Sequence, residues 1–430
     1  MSLELIGGLV TLFAIAAIGA PVAFAIIVGV VVYLGIGGQD IAIAGETMVQ
    51  RLFDGFLLLA VPLFIVSANI MNAGTISDRL LKFCIALVGG FRGGLGHVNV
   101  VASLIFSGMS GSAVADAAAR PLHWIYDTEK IQKLICGTAN PEFWPKSESP
   151  FYTLPTGANS TYFDLSLVIL RSLNHNSGVF KPRIFMEHVV SHFGQNTPYE
   201  TAFQKRKLNY TPEVREKGWP APINGPWRHG LVTTMLESFS RTEEIPVGPE
   251  TADEIDGFCA ALPVWLVSKP EQRTTLSQKA LKIVAGGRLC EDHALAFLQL
   301  LKLALSEQYP IHQLAQNPKI YGLPQQVTKE IEQVISASEV DHCEFVQQVG
   351  KACRYSGTFQ GALHAVLKAN SYEEGVQLCI LAGGCNCSRA IQVGSLLGAI
   401  HGEDKIPKEW LDKTGSVTEI QSILEKLNLE

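Results

Sequence analysis

Two cysteines one residue apart, Cys385 and Cys387, follow Gly383 and Gly384 in the run LAGGCNCSRAIQVGSLLGAIHG. Thiols at this spacing offer two chemistries. With His401 or His123 they would make a soft-metal site of sulfur and nitrogen donors. A thiol at a helix start would instead have a lowered pKa and act as a nucleophile. The glycine pair ends one helix, and Ser388 is placed to cap the next. Free backbone N–H groups at such a helix start would cradle an anion or a phosphate, with Asn386 and Arg389 beside them. The plainer reading is a tight helix–helix corner whose glycines supply positive φ, with Arg389 facing solvent. Two carboxylates stand far from this run in sequence, Asp116 in AVADAAARPLHWIYD and Asp164 in TYFDLSLVILRSL. His123 and Trp124 lie in the first of these words and read as pocket-wall residues.

Helices must position these groups. AVADAAA reads as a helix that ends near Arg120–Pro121, where proline disfavours continuation. Apolar spacing predicts further helices over 162–172, 230–239, 251–267, 276–285, 292–305 and 324–335. Gly394, Gly398 and Ala399 make one helix face small enough for close packing. Asn140 to Asn159 reads as an irregular loop. Ser191 to Asn224, broken by Pro198, Pro212, Pro220 and Pro222, reads as a surface excursion. No run alternates convincingly as a strand, so the class is all-α.

The chain has 430 residues, nine cysteines and a formal net charge of −6. That charge argues against a nucleic-acid partner. The irregular cysteine spacing points to free thiols in a reducing compartment. The averages hide an asymmetry: no charged side chain occurs from Leu5 to Gln39, nor from Gly55 to Ser77. A spanning helix needs about 20 apolar residues. Leu5 to Ile36 exceeds that, with Pro21 as a kink or break. Phe56 to Met71, Leu80 to Gly90 and Val98 to Met109 are further candidates. The expected architecture is N-terminal transmembrane helices over 1–119, followed by a soluble all-α domain over 110–430 in the cytoplasm. The competing reading of the first run is a helical hairpin buried in a soluble protein.

Two family resemblances follow. GAPVAFAIIVGVVVYL, LLLAVPLFIVSANIM and FRGGLGHVNVVASLIFSGMSGSAVADAAA resemble, in that order, the start of the large permease subunit of TRAP transporters. The resemblance implies a helix break at Ser110, Gly111 and Ser112 offering oxygens to sodium and substrate. It covers only the first quarter of the chain, and transport needs a second half. From about Val114 onward the chain resembles the ADP-ribosylglycohydrolase superfamily. LAGGCNCSRAIQVGSLLGAIHGEDKIPKEW stands where that family has Gly-Gly-Asp-Thr-Asp-Thr, and GANSTYFDLSLVILRSL stands where it has Asp-Asp-Thr. LHWIYD, GPWRHG and the Cys-Asn-Cys-Ser form point to the branch of J-type crystallins and selenoprotein J.

The family's enzymes hold two Mg²⁺ ions on hard oxygen ligands and direct water at a ribose glycosidic bond. Carried over, those positions are Cys385, Asn386, Cys387 and Ser388, then about Thr161, Tyr162 and Phe163 beside Asp164. Asp116 alone keeps its acid. Thiols suit soft metals, not Mg²⁺. The expectation is therefore a crystallin-like pseudoenzyme with no cofactor, keeping at most a pocket for an ADP-ribose-like molecule. An active hydrolase on Asp116 and Asp164, needing Mg²⁺, is the alternative, and a membrane component of a TRAP carrier is a third. Because both resemblances meet at AVADAAA, the chain reads as a chimera.

Overall fold

The computed structural model describes residues 2–42, 45–47, 94–136, 140–209, 221–304 and 310–428. They belong to two compact units, Met1–Asp78 and Arg79–Glu430. In the first unit the charge-free run forms α1 (Leu3–Ala17) and α2 (Val22–Ile36), divided at Gly19, with φ +89°, and Pro21. Gly8 and Gly29 let the two helices approach, because a Cβ on either would come within 2.9 Å of the other's carbonyl oxygen. Phe13, Val22 and Phe24 lie on exposed faces, so this hairpin is not buried within its unit.

The described helices of this unit do not reach the length expected of a span. Each helix has 15 residues, about 22 Å at 1.5 Å per residue, short of a hydrocarbon core of about 30 Å. No helix among the described residues is long and apolar enough to cross a membrane. The candidate segments at 56–71 and 80–90 lie outside the described residues.

The second unit is helical. Its helices are α3 (Gly94–Ala119), α4 (Thr128–Ile135), α5 (Thr161–His175), α6 (Pro182–Phe193), α7 (Pro198–Asn209), α8 (Gly230–Thr242), α9 (Asp256–Val267) and α10 (Arg273–Val284). They continue as α11 (Arg288–Leu303), α12 (Pro310–Gln316), α13 (Gln325–Ser336), α14 (His342–Val349), α15 (Gly357–Lys368), α16 (Tyr372–Leu381), α17 (Asn386–His401), α18 (Lys408–Lys413) and α19 (Val417–Asn428). Two short parallel strands, β1 (Tyr152–Thr153) and β2 (Ile223–Asn224), clip the loop after α4 to the segment before α8. The described residues of the 191–224 stretch, 191–209 and 221–224, are less irregular than the surface excursion expected. Pro198 opens α7, where its missing N–H costs nothing.

At the centre α3 packs along α17. A Cβ on Gly394 would sit 2.3 Å from the Gly111 carbonyl oxygen, and one on Gly398 would sit 2.4 Å from that of Ser107. The glycine face read from the sequence thus lies at the crossing of α3 and α17. Val98–Met109, expected as a separate membrane segment, is instead the middle of the unbroken α3.

Two buried imidazoles join α14 to α15. His364 Nε2 donates to the Ala337 carbonyl at 3.0 Å, so its Nδ1 accepts from His342 Nδ1 at 3.0 Å. His342 Nε2 is left a buried acceptor with no partner. Burial, then Arg389, His364 and Lys368, push His342 well below the ordinary imidazole range. A depressed folded-state pKa means the unfolded chain binds more protons. The stability it contributes is present above about pH 6.5 and is lost below it, by at most about 1.4 kcal/mol per pH unit. Urea melts at pH 7.5 and 5.5 should show that loss, and His342→Gln, which can still donate to His364, should flatten it. An unchanged acid limb in the variant would assign the loss to other groups.

Candidate functional site

The corner between α16 and α17 is built from both glycines. Gly383 and Gly384 adopt φ +69° and +65°, and a Cβ at either would strike the Ile125 or Lys351 carbonyl oxygen. Three N–H groups of the corner are already engaged by the scaffold. Gly384 N–H donates to Ile125 O and Cys385 N–H to Lys351 O, each at 2.7 Å, while Asn386 N–H donates to Gly384 O at 2.9 Å. Trp124 N–H returns a bond to Gly384 O at 2.8 Å, so the LHWIYD word lies as a bridge along the corner.

Arg389 does not face solvent. It is fully buried, and its guanidinium donates to the carbonyls of Gly383, Cys379 and Lys351. A cation thus closes the C-terminal end of α16, where free carbonyls favour positive charge. Burial draws its pKa down, with Cys379 and Cys385 acting against that.

The two corner thiols diverge. Cys387 points at the Asp116 backbone carbonyl, 3.8 Å away, and burial pushes it well above the ordinary thiol range. Cys385 Sγ lies 3.3 Å from His123 Nε2 and 3.3 Å from the Tyr162 hydroxyl. His123 Nδ1 meets the Tyr152 hydroxyl at 2.8 Å, and its ring stacks on Trp124 at 4.2 Å. Burial by itself would raise the Cys385 thiol. The Cys353 hydrogen bond, the His123 charge and hydrogen bond, and Ser388 outweigh it and hold Cys385 well below the usual range. His401 caps the far end of α17, about 24 Å along the helix from Cys385, on a cavity of about 500 Å³ shared with Ile311 and Leu397. It cannot join Cys385 and Cys387 on one ion. Among the described residues no cluster of three or more His, Cys, Asp and Glu could hold a metal.

The remaining corner side chains are tied to the scaffold. Asn386 Nδ2 donates to the carbonyls of Ala119 and Leu122 and so ties off α3. Ser388 Oγ bonds the Cys385 carbonyl at 2.7 Å and meets Thr358.

Asp116 is fully buried on α3. Its Oδ2 accepts from Ser160 N–H at 2.7 Å and Asn159 Nδ2 at 3.0 Å, and its Oδ1 accepts from Ser160 Oγ at 2.5 Å. Ser160 also caps α5. Burial raises Asp116 above the usual carboxylate range, while the Ser160 and Asn159 donors pull the other way.

Asp164, one turn into α5, turns elsewhere. Its Oδ2 accepts from Tyr199 at 2.6 Å and lies 3.6 Å from His192 Nε2. Of its neighbours, Thr161 bonds Trp227 O and Tyr199, Tyr162 reaches Cys385, and Phe163 is core. Asp116, His123, Trp124, Cys385 and Cys387 therefore gather around one buried centre, and Asp164 keeps separate partners.

Ser110, Gly111 and Ser112 sit within continuous helix rather than at the break implied by the permease resemblance. Ser112 Oγ bonds Gly108 O at 2.7 Å, and Gly111 O accepts from the Tyr372 hydroxyl at 2.5 Å. Ser110 Oγ is buried without a partner.

Several members of the centre carry no sequence signal of their own: Tyr152, Cys353, the Asn159–Ser160 pair, and the buried His229–Asp256 contact at 2.7 Å. His229 packs on Tyr162 at 4.1 Å, and Trp227 on Trp124 at 5.5 Å. The LHWIYD, GPWRHG and Cys-Asn-Cys-Ser words thus converge, which their separation along the chain conceals.

The donor set does not fit Mg²⁺. Sulfur and amide stand at the positions matching the family's carboxylates, and both Asp116 oxygens are taken by protein donors.

Comparison with known proteins places the chain. The ADP-ribosylglycohydrolase family model matches residues 100–430. The tripartite ATP-independent periplasmic transporter DctM component matches residues 9–123. Crystallin J1A of Tripedalia cystophora is 28% identical over 325 residues, 74% of this chain and 94% of the crystallin. The sialic acid TRAP transporter large permease protein of Vibrio cholerae is 45% identical over 100 residues, 23% of each chain. A solved ADP-ribosylglycohydrolase-related protein complex aligns with a TM-score of 0.49 at 17% identity, covering 77% of this chain and 98% of that one. With its match running from residue 100 to the C-terminus, the chain belongs to the ADP-ribosylglycohydrolase family.

Proposed function

We propose that the family domain, taken as 110–430, is a crystallin-like pseudoenzyme that binds at most an ADP-ribose-like small molecule and does not cleave a glycosidic bond. The observation that carries this is the saturation of Asp116 by Ser160 and Asn159 beside thiols that replace hard anions. A magnesium ion there would have to strip three hydrogen bonds from the one retained acid and accept sulfur in place of carboxylate. The domain requires no cofactor on this reading. The similarity to crystallin J1A along nearly that protein's whole length supports it.

The part of the permease-like segment that precedes α3 associates with a membrane, and the helical body sits on the cytoplasmic side. The two family matches overlap over 100–123, within and just after α3. The join is chimeric, and a single peptide spanning Gly108 to Tyr126 recovered from a natural source would reverse that reading.

The full chain, incubated with ADP-ribosylated protein and 10-fold excess Mg²⁺ or Mn²⁺, should release no ADP-ribose above the blank. Metal-dependent multiple turnover would overturn the proposal. A thermal shift with free ADP-ribose reports separately on whether a ligand pocket survives.

A further inference from the structure

We propose that His175 and His188 form a surface site for a divalent transition-metal ion of the zinc class, with two protein nitrogens as ligands and water in the other positions. The two side chains come from different helices. His175 is the last residue of α5, and His188 lies in the middle of α6. His188 Nε2 and His175 Nδ1 face each other at 3.3 Å, with the rings perpendicular and their centroids 5.4 Å apart. The pair stands at the opposite end of α5 from Ser160, about 22 Å along the helix, so it is independent of the centre around Asp116.

The separation of the two nitrogens decides between two readings. N–H···O bonds usually span about 2.7–3.2 Å, and by that measure 3.3 Å is long for a direct bond between two imidazoles. Two nitrogens each about 2.05 Å from one zinc ion, at the tetrahedral angle, lie about 3.3–3.4 Å apart. The pair thus already has the spacing of two ligands on one ion. Neutral imidazole is the ligating form, and burial, then His175 and Arg171, hold His188 below the ordinary imidazole range. When both facing nitrogens ligate, each ring keeps its single proton on its other nitrogen, so neutral rings change tautomer and release no proton.

The surroundings accept a cation. His175 ends α5, where free carbonyls favour positive charge. The Arg171 guanidinium nearby is taken up by both carboxylate oxygens of Glu419, at 2.7 and 2.8 Å. Lys426 lines the same hollow, but it is exposed and its flexible stem lets the ammonium withdraw into water. The hollow, about 730 Å³ and lined also by Thr418 and Ser422, has room for the water ligands. Imidazole suits zinc, copper and nickel, whereas Mg²⁺ takes oxygen.

The test is calorimetric titration of the metal-free full chain with Zn²⁺ alone at pH 7.5, repeated with Co²⁺ as a coloured substitute. Accessible thiols, the exposed Cys136 among them, are alkylated first so that they do not compete. One zinc ion should bind per chain, and Mg²⁺ should give no signal. Bound cobalt should show ligand-field absorption without sulfur-to-metal charge-transfer bands. Loss of an outer-shell partner already costs a metal site about 10–100-fold in affinity, so His175→Gln and His188→Gln, each removing a direct ligand, should weaken zinc binding at least about 10-fold. Both positions reach solvent, so the variants should keep the helical circular dichroism of the parent. No zinc binding by the unaltered chain, sulfur charge-transfer bands with cobalt, or parental affinity in both variants would each overturn the proposal.

Discussion

Replacing Asp116 with Ala should lower the stability of the helical body by about 3–5 kcal/mol, because charged hydrogen bonds are lost and buried donors are left unmet. Three donor atoms converge on this carboxylate from one turn of chain, the Asn159 amide and the Ser160 N–H and hydroxyl. They fix the start of α5 against the C-terminal end of α3. Asn159 also donates to the Ala113 carbonyl and accepts from Ser416 Oγ, so the loss would reach the segment before α19. Urea denaturation of the full chain measures it. Asp116→Asn keeps the volume and one acceptor oxygen and should lose about half as much. On the alternative reading Asp116 is a metal-binding acid, so Asp116→Ala would remove turnover and leave the fold as stable as before. Unchanged stability with lost activity would therefore defeat the structural assignment.

What was legible in the sequence follows from which interactions are local. The helix α5 and the corner at Gly383–Gly384 are written in residues that are neighbours along the chain: apolar spacing, and glycines at positive φ. Arg389 was not legible. Its charge is met by backbone carbonyls, one of them on Lys351 38 residues away, and carbonyls carry no side-chain signature. The Tyr162–Cys385 contact lacks a signature for the same reason, since it joins residues 223 apart and exists only after the chain has folded. Pro198 was misleading because proline breaks a helix interior but opens a helix readily, and spacing alone does not say which. The AVADAAA word fits two families because small residues allow close helix approach both in a membrane bundle and in a tightly packed core. In the core described here, Ala113, Ala117 and Ala118 are all buried.

That seam makes the second large effect. Gly394→Ala should destabilise the body by about 2–3 kcal/mol through overpacking, although alanine favours a helix interior by about 1 kcal/mol over glycine. The sign is set by space. The new Cβ would lie 2.3 Å from the Gly111 carbonyl oxygen and 2.5 Å from the Ala115 Cβ, and neither backbone nor Cβ can swing aside. The helices must separate, and separation loosens the same crossing at Gly398 against Ser107. Gly394→Val adds two more carbons at the crossing and should abolish folding to a cooperative state. The control is Gly230, the first residue of α8, where nothing lies within 4 Å of a built Cβ. Gly230→Ala should be neutral or slightly stabilising, since propensity alone then acts. Equal effects at the two glycines would mean that α3 and α17 do not pack this closely. The corner, the Asn386 tie to α3 and the Cys385 centre would then lose the frame that positions them.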